Sequence, residues 1–139
     1  LRMERAAETG VKVADWLANN SPIPCKILHP LHSDNAAERE VYARQCSGPG
    51  STFSMVVADD RALAFRIVNG LQLFKLAVSL GGTESLVCHP ASTTHSGVPA
   101  DARARAGVTE GLIRLSVGLE HPDDLIADLR IALDKAARG

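Results

Sequence analysis

The sequence has no CxxC pair, no apolar run long enough to cross a membrane and no surplus of either charge. Each absence removes a class of protein. The three cysteines, Cys25, Cys46 and Cys88, are odd in number and far apart. That excludes a disulfide framework and reads as buried thiols in a reducing, cytoplasmic compartment. No stretch approaches the roughly 18 apolar residues of a spanning helix, and no signal-peptide pattern is present. Fifteen Lys and Arg face sixteen Asp and Glu, for a net charge of −1. No basic face therefore points to nucleic acid or an acidic membrane surface. His29 and His32 have no third ligand in view, so they read as a surface loop and not as a metal site. No internal repeat, low-complexity tract or interdomain linker interrupts the chain.

What remains is ordinary globular material. With 139 residues, 45% apolar, the chain can bury one real core. Its N-terminal "LRMERAAETGVKVADWLANN" is helical from the first residue, with Met3, Ala6, Gly10, Val13 and Leu17 on one face. Nothing before it can cap the helix, which predicts a piece of a longer protein. "CKILHP" is a short strand. "NAAEREVYARQCS" is a helix with Asp34 or Asn35 as cap. "STFSMVVA" alternates, with Phe53, Met55 and Val57 on one face. "DDRALAFRIVNGL" is a helix with acids at its start and Gly70 near its end. "LFKLAVS" reads as strand, and "GGTESLVCHPASTTHSGVP" as turn, short strand and long loop. "PADARARAG" is a short helix closed by Gly107. "GLIRLSVG" is a strand. The last helix has Pro122 at its first position, Asp123 and Asp124 in its first turn, and Lys135 and Arg138 near its end. Its stripe is Leu125, Leu129, Ala132, Leu133 and Ala136. The pattern predicts an α+β fold: a small, mostly antiparallel sheet with helices packed on it, over residues 1–139 as a single domain.

Arg114 stands out. In "GLIRLSVGLE" the side chains alternate, so Ile113, Leu115 and Val117 share one face and Arg114 shares the other with Ser116. One reading is a solvated face, where arginine costs little. The other is a carboxylate site, because a guanidinium offers parallel donors and stays charged when partly desolvated. The loop "SLGGTESLVCHPASTTHS" could supply converging groups. Gly81 and Gly82 permit positive φ, and Ser79, Thr83, Glu84, Thr93, Thr94 and His95 are polar.

These residues carry a resemblance. "LAVSLGGTESLVCHPASTTHSGVP" followed by "GVTEGLIRLSVGLEHPDDLIADLRIAL" resembles the C-terminal domain of the Cys/Met-metabolism enzymes, which depend on pyridoxal 5′-phosphate (PLP). "LRMERAAETGVKVADWL" resembles the helix leading into that domain, and "ARQCSGPGSTFSMVV" its first long strand region. Two stretches depart from the family: Pro49 in "QCSGPGST", and "HPLHSDNAAER" where a "PGLPSHP" type of sequence is usual.

The resemblance implies that Arg114 holds the substrate's α-carboxylate and that Ser79 lines the same site. It implies that Thr94 supports the Ser79 loop, that Glu84 braces it, and that His95 is structural. Val78, where cystathionine-handling relatives often carry an acid, suits an uncharged thioether. That favours C–S lyase chemistry like that of the methionine γ-lyases over cystathionine γ-synthase or homoserine sulfhydrylase transfer; simple packing of Val78 is the bland alternative. In the family PLP sits on a lysine of a larger N-terminal domain. None of Lys12, Lys26, Lys75 and Lys135 lies in such a motif. The chain is therefore expected to bring no catalytic or cofactor-binding residue of its own. It should partner its own large domain, a small amino-acid substrate, and further copies in a dimer or tetramer. A free-standing α+β binding module is the reading from another class.

Overall fold

Alternating apolar residues build the middle of the sheet in the computed structural model, which describes residues 1–139. The elements run α1 (Arg2–Asn20), β1 (Lys26–Leu28), α2 (Ala36–Gln45), β2 (Thr52–Val56), α3 (Arg61–Gly70), β3 (Lys75–Leu76), β4 (Leu86–Cys88), α4 (Ala100–Arg105), β5 (Leu112–Ser116) and α5 (Pro122–Arg138). Short 3₁₀ turns fill Pro30–His32 and Pro90–Ser92. The sheet order is β1-β2-β5-β4-β3. All neighbours are antiparallel except β3 and β4. This is the expected α+β, mostly antiparallel arrangement.

The helices cover one face. Phe53 and Met55 of β2, Val87 of β4, and Ile113 and Leu115 of β5 meet Val13 and Leu17 of α1, Ile67 of α3, and Leu125, Leu129 and Leu133 of α5 in a single core. Burying each such side chain contributes about 1.5–3 kcal/mol. α3 and α5 approach closely at Gly70, where an added Cβ would lie 3.2 Å from the Ala132 Cβ. Gly70, the last residue of α3, is thus also a close contact between the two helices.

Caps follow the sequence. Asn35, not Asp34, caps α2 by accepting from Ala37 and Glu38 N–H. Asp60 accepts from Ala62 and Leu63 at α3, and His121 from Asp123 at α5. α1 has no side-chain cap.

Several expectations are corrected. Met3 is exposed, because no element lies over the first turn of α1. Cys88 is buried and Cys25 half-buried, but Cys46 is exposed, because α2, which it ends, buries nothing. His29 is not on a surface loop. It is 4% exposed, its Nδ1 accepts from Leu31 N–H, and its ring meets the Phe53 ring edge-on at 5.5 Å. Burial, and then the neighbouring His32, holds its pKa below the usual 6.5. "LFKLAVS" pairs as strand only at Lys75–Leu76, with Ala77 N–H adding one bond to Val87 C=O.

Candidate functional site

Arg114 lies on the sheet face opposite the core built with α1, α3 and α5. Cross-strand pairing sets it between Ser54 of β2 and Cys88 of β4. Ile113 and Leu115 beside it are fully buried on the opposite face, so the pleat fixes where Arg114 emerges. Arg114 as a residue is half-buried. Its Nη2 donates to the Val78 carbonyl at 2.7 Å and the Ser79 carbonyl at 3.1 Å. A guanidinium has five N–H donors, so those on Nε and Nη1 stay available to a ligand. The structure thus brings together three residues singled out from sequence: Arg114, Val78 and Ser79. The latter two are exposed and meet Arg114 through their main chain.

Thr94 is placed differently. Its hydroxyl lies 2.8 Å from His95 Nδ1 and makes no bond to the Ser79 loop. His95 closes its own turn through its N–H to Pro90 C=O. Glu84 reaches only its neighbour, the Thr83 hydroxyl, at 3.3 Å.

The loop is held by residues that sequence reading passed over. Gly81, with φ 73°, donates its N–H to the Ser116 hydroxyl at 2.9 Å. Glu120 accepts from Ser85 N–H and from the Ser85 hydroxyl, both at 2.7 Å. At the other end Asp128 of α5 accepts from the N–H groups of Gln72, Leu73 and Phe74, at 2.8, 2.9 and 3.3 Å. The signal for Asp128 was present: it is a carboxylate within the apolar stripe of α5, between Leu125 and Ala132. Glu120 offered none beyond its place after β5.

The entry to β5 is fixed by charge. Arg61 holds Glu110 with two bonds, at 2.7 and 3.1 Å, and Arg103 adds a third at 3.0 Å. The Arg61 bond is the main reason the Glu110 carboxyl titrates below its usual range. Buried His89 bridges this corner. Its Nε2 is 2.9 Å from the Glu110 carbonyl, which can only accept, so that nitrogen carries the proton. Nδ1 is then left to accept from the Ser92 hydroxyl at 2.8 Å.

All four lysines are exposed, and the Lys75 ammonium donates to the Gln72 carbonyl at 2.7 Å. A cleft of about 800 Å³ lies between α2 and β1. No group of three His, Cys, Asp or Glu side chains is placed to hold a metal. No helix is long and apolar enough to cross a membrane.

Residues 1–134 match the family model described as Cys/Met metabolism PLP-dependent enzyme. The chain belongs to that family. It is 41% identical over 138 residues to cystathionine gamma-synthase of Escherichia coli (strain K12), covering 99% of this chain and 35% of that protein. It is 39% identical over 137 residues to L-methionine gamma-lyase of Pseudomonas putida, covering 99% of this chain and 34% of that one. A Campylobacter jejuni structure, assigned as an O-acetylhomoserine (thiol)-lyase and holding a pyridoxyl-lysine phosphate, superposes with a TM-score of 0.88 at 37% identity. It covers 96% of this chain and 31% of that one. The chain spans about a third of the length of the curated relatives it matches.

Proposed function

We propose that this chain is the smaller, C-terminal domain of a PLP-dependent enzyme of sulfur amino-acid metabolism, and that it supplies the substrate α-carboxylate site. The observation that carries this is Arg114 itself. It is a partly buried arginine on the sheet face opposite the helical core, its guanidinium already oriented by the Val78 and Ser79 carbonyls. Arg114 would bind the carboxylate and Ser79 would line the same site. Thr94 belongs to the neighbouring turn and would reach the site only through the rest of the enzyme.

PLP in such an enzyme supplies an electron sink for bond cleavage at the substrate's Cα. In this proposal it is held by a larger domain beyond the residues described here. This chain's part is to fix the carboxylate and so the orientation of Cα, where misplacement by ~1 Å can cost ~100-fold in rate. The large domain, an amino-acid substrate and further copies in a dimer or tetramer are the partners proposed. Exposed Leu76, Val78 and Leu80 along the β3 edge give that domain an apolar surface to cover. The three unpaired cysteines suit a cytoplasmic enzyme.

The reaction we favour is C–S elimination. Val78 is exposed beside Arg114 and offers a thioether substrate an apolar contact, with no charge to meet a distal ammonium. Cystathionine γ-synthase or homoserine sulfhydrylase transfer is the alternative, and similar identities to synthase and lyase relatives do not separate them. Incubating the intact protein with PLP and L-methionine tests the choice. Elimination consumes water and releases methanethiol, ammonia and a 2-oxo acid. Turnover only of an O-activated homoserine with a thiol or cysteine, giving a new thioether, would reject elimination in favour of transfer. Amino-acid binding by the chain with no PLP-dependent turnover in the intact protein would favour a binding module.

A further inference from the structure

We propose that Glu120 is a positioning residue for the carboxylate site, acting through Ser85 on the loop that carries Val78 and Ser79. The inference deepens the carboxylate-site reading and rests on it for its kinetic consequence.

Glu120 follows β5 on the same segment as Arg114. Both its oxygens accept from one residue, Ser85, through the N–H and the hydroxyl at 2.7 Å each. The Ser85 hydroxyl in turn accepts from Gly118 N–H at 2.9 Å. Ser85 is fully buried. A carboxylate is suited to this place because it presents two acceptors and no donor, and charge strengthens both bonds. Glu120 forms no ion pair within the chain.

The stitching continues along the loop. Leu119 N–H donates to Thr83 C=O at 2.9 Å, and Gly81 N–H to the Ser116 hydroxyl at 2.9 Å. The loop therefore meets the end of the Arg114 strand at Gly81, Thr83 and Ser85. It lies so close that a Cβ on Gly118 would fall 2.3 Å from the Thr83 carbonyl oxygen and 2.6 Å from the Glu84 carbonyl carbon. Arg114 rests against the start of this loop through Val78 and Ser79. Releasing Glu120 frees the loop's far end, and the two carbonyls that orient the guanidinium lose their fixed place.

Hydrogen exchange and steady-state kinetics on the intact protein, with Glu120→Ala, Glu120→Gln and Ser85→Ala, test this. Glu120→Ala is expected to speed amide exchange across 79–85 by about tenfold, the scale of one charged hydrogen bond lost, while α5 amides keep their protection. KM for the amino acid should rise about tenfold with kcat changed by less than about threefold, the pattern of lost substrate binding. Glu120→Gln keeps an acceptor for Ser85 N–H and should recover most of both effects. Should Glu120→Ala fail to fold, Ser85→Ala, which keeps the N–H bond to Glu120, is expected to show the same pattern more weakly. Unchanged exchange across 79–85, or a lower Tm with KM unaltered, would overturn the proposal and leave Glu120 a stabilising residue only. A wild-type protein that turns over no sulfur amino acid would defeat the functional reading, while the exchange data would still decide whether Glu120 holds the loop.

Discussion

Asp128→Ala should destabilise the domain more than the loss of a single side-chain hydrogen bond would. Asp128 is 7% exposed and accepts three main-chain N–H bonds from the turn between α3 and β3. A hydrogen bond to a charged group contributes about 1.5–3 kcal/mol net. The three cannot be summed at that value. Gln72 and Leu73 are exposed, so water can replace the carboxylate at their N–H groups. Phe74 is 2% exposed, and its N–H would be left without a partner. Alanine also recovers up to ~0.7 kcal/mol of helix propensity over aspartate. The balance is a loss of about 2–3 kcal/mol, a large share of the 5–15 kcal/mol typical of a domain. Urea unfolding followed by far-ultraviolet circular dichroism measures it. Asp128→Asn keeps one acceptor oxygen and should lose roughly half as much. A loss below about 0.5 kcal/mol for alanine, or equal losses for both variants, would refute the view that this carboxylate holds the turn.

Further outcomes follow from the core and from His29. Leu129→Ala empties a fully buried position of α5 facing the sheet and should cost about 2–5 kcal/mol in the same unfolding assay. His29 titrates below 6.5 in the folded chain, so the unfolded chain binds its proton more readily. Its contribution to stability is therefore complete above about pH 6.5 and is lost as pH falls through the depressed folded value. Unfolding midpoints at pH 7.5 and 5.5 should separate less in His29→Asn, whose amide oxygen can still accept from Leu31 N–H but does not titrate; equal separation in both proteins would contradict this.

The two central strands were legible because alternation over Phe53, Met55 and Val57, and over Ile113, Leu115 and Val117, admits one pleat and one buried face. The same alternation singled out Arg114. α5 was legible from its proline, its acids and its stripe. "LFKLAVS" misled because, Phe74 apart, its large apolar residues do not face the core: Leu73, Leu76 and Val78 are exposed at the edge of the sheet. α2 reads as helix by composition, yet it buries nothing, so no periodicity could report what it covers. His29 was misplaced because its burial depends on Phe53, distant in sequence. Thr94 and Glu84 were expected to hold the loop on resemblance alone. The groups that do so, Ser116, Ser85 and Glu120, reach it only after β5 pairs with β4, a long-range contact that local spacing does not encode. Asp128 was passed over too, although a carboxylate inside an apolar stripe signals a buried acceptor.

The central claim, that Arg114 holds the substrate's α-carboxylate, is tested most directly by KM in the intact protein for an amino-acid substrate and its α-carboxamide, with wild type and Arg114→Lys. Wild type should favour the carboxylate. Lysine keeps a charge but lacks the planar fork, so KM for the carboxylate should rise about 10- to 100-fold, while KM for the carboxamide changes little. An unchanged KM for the carboxylate, or an equal rise for both compounds, would contradict the assignment of Arg114.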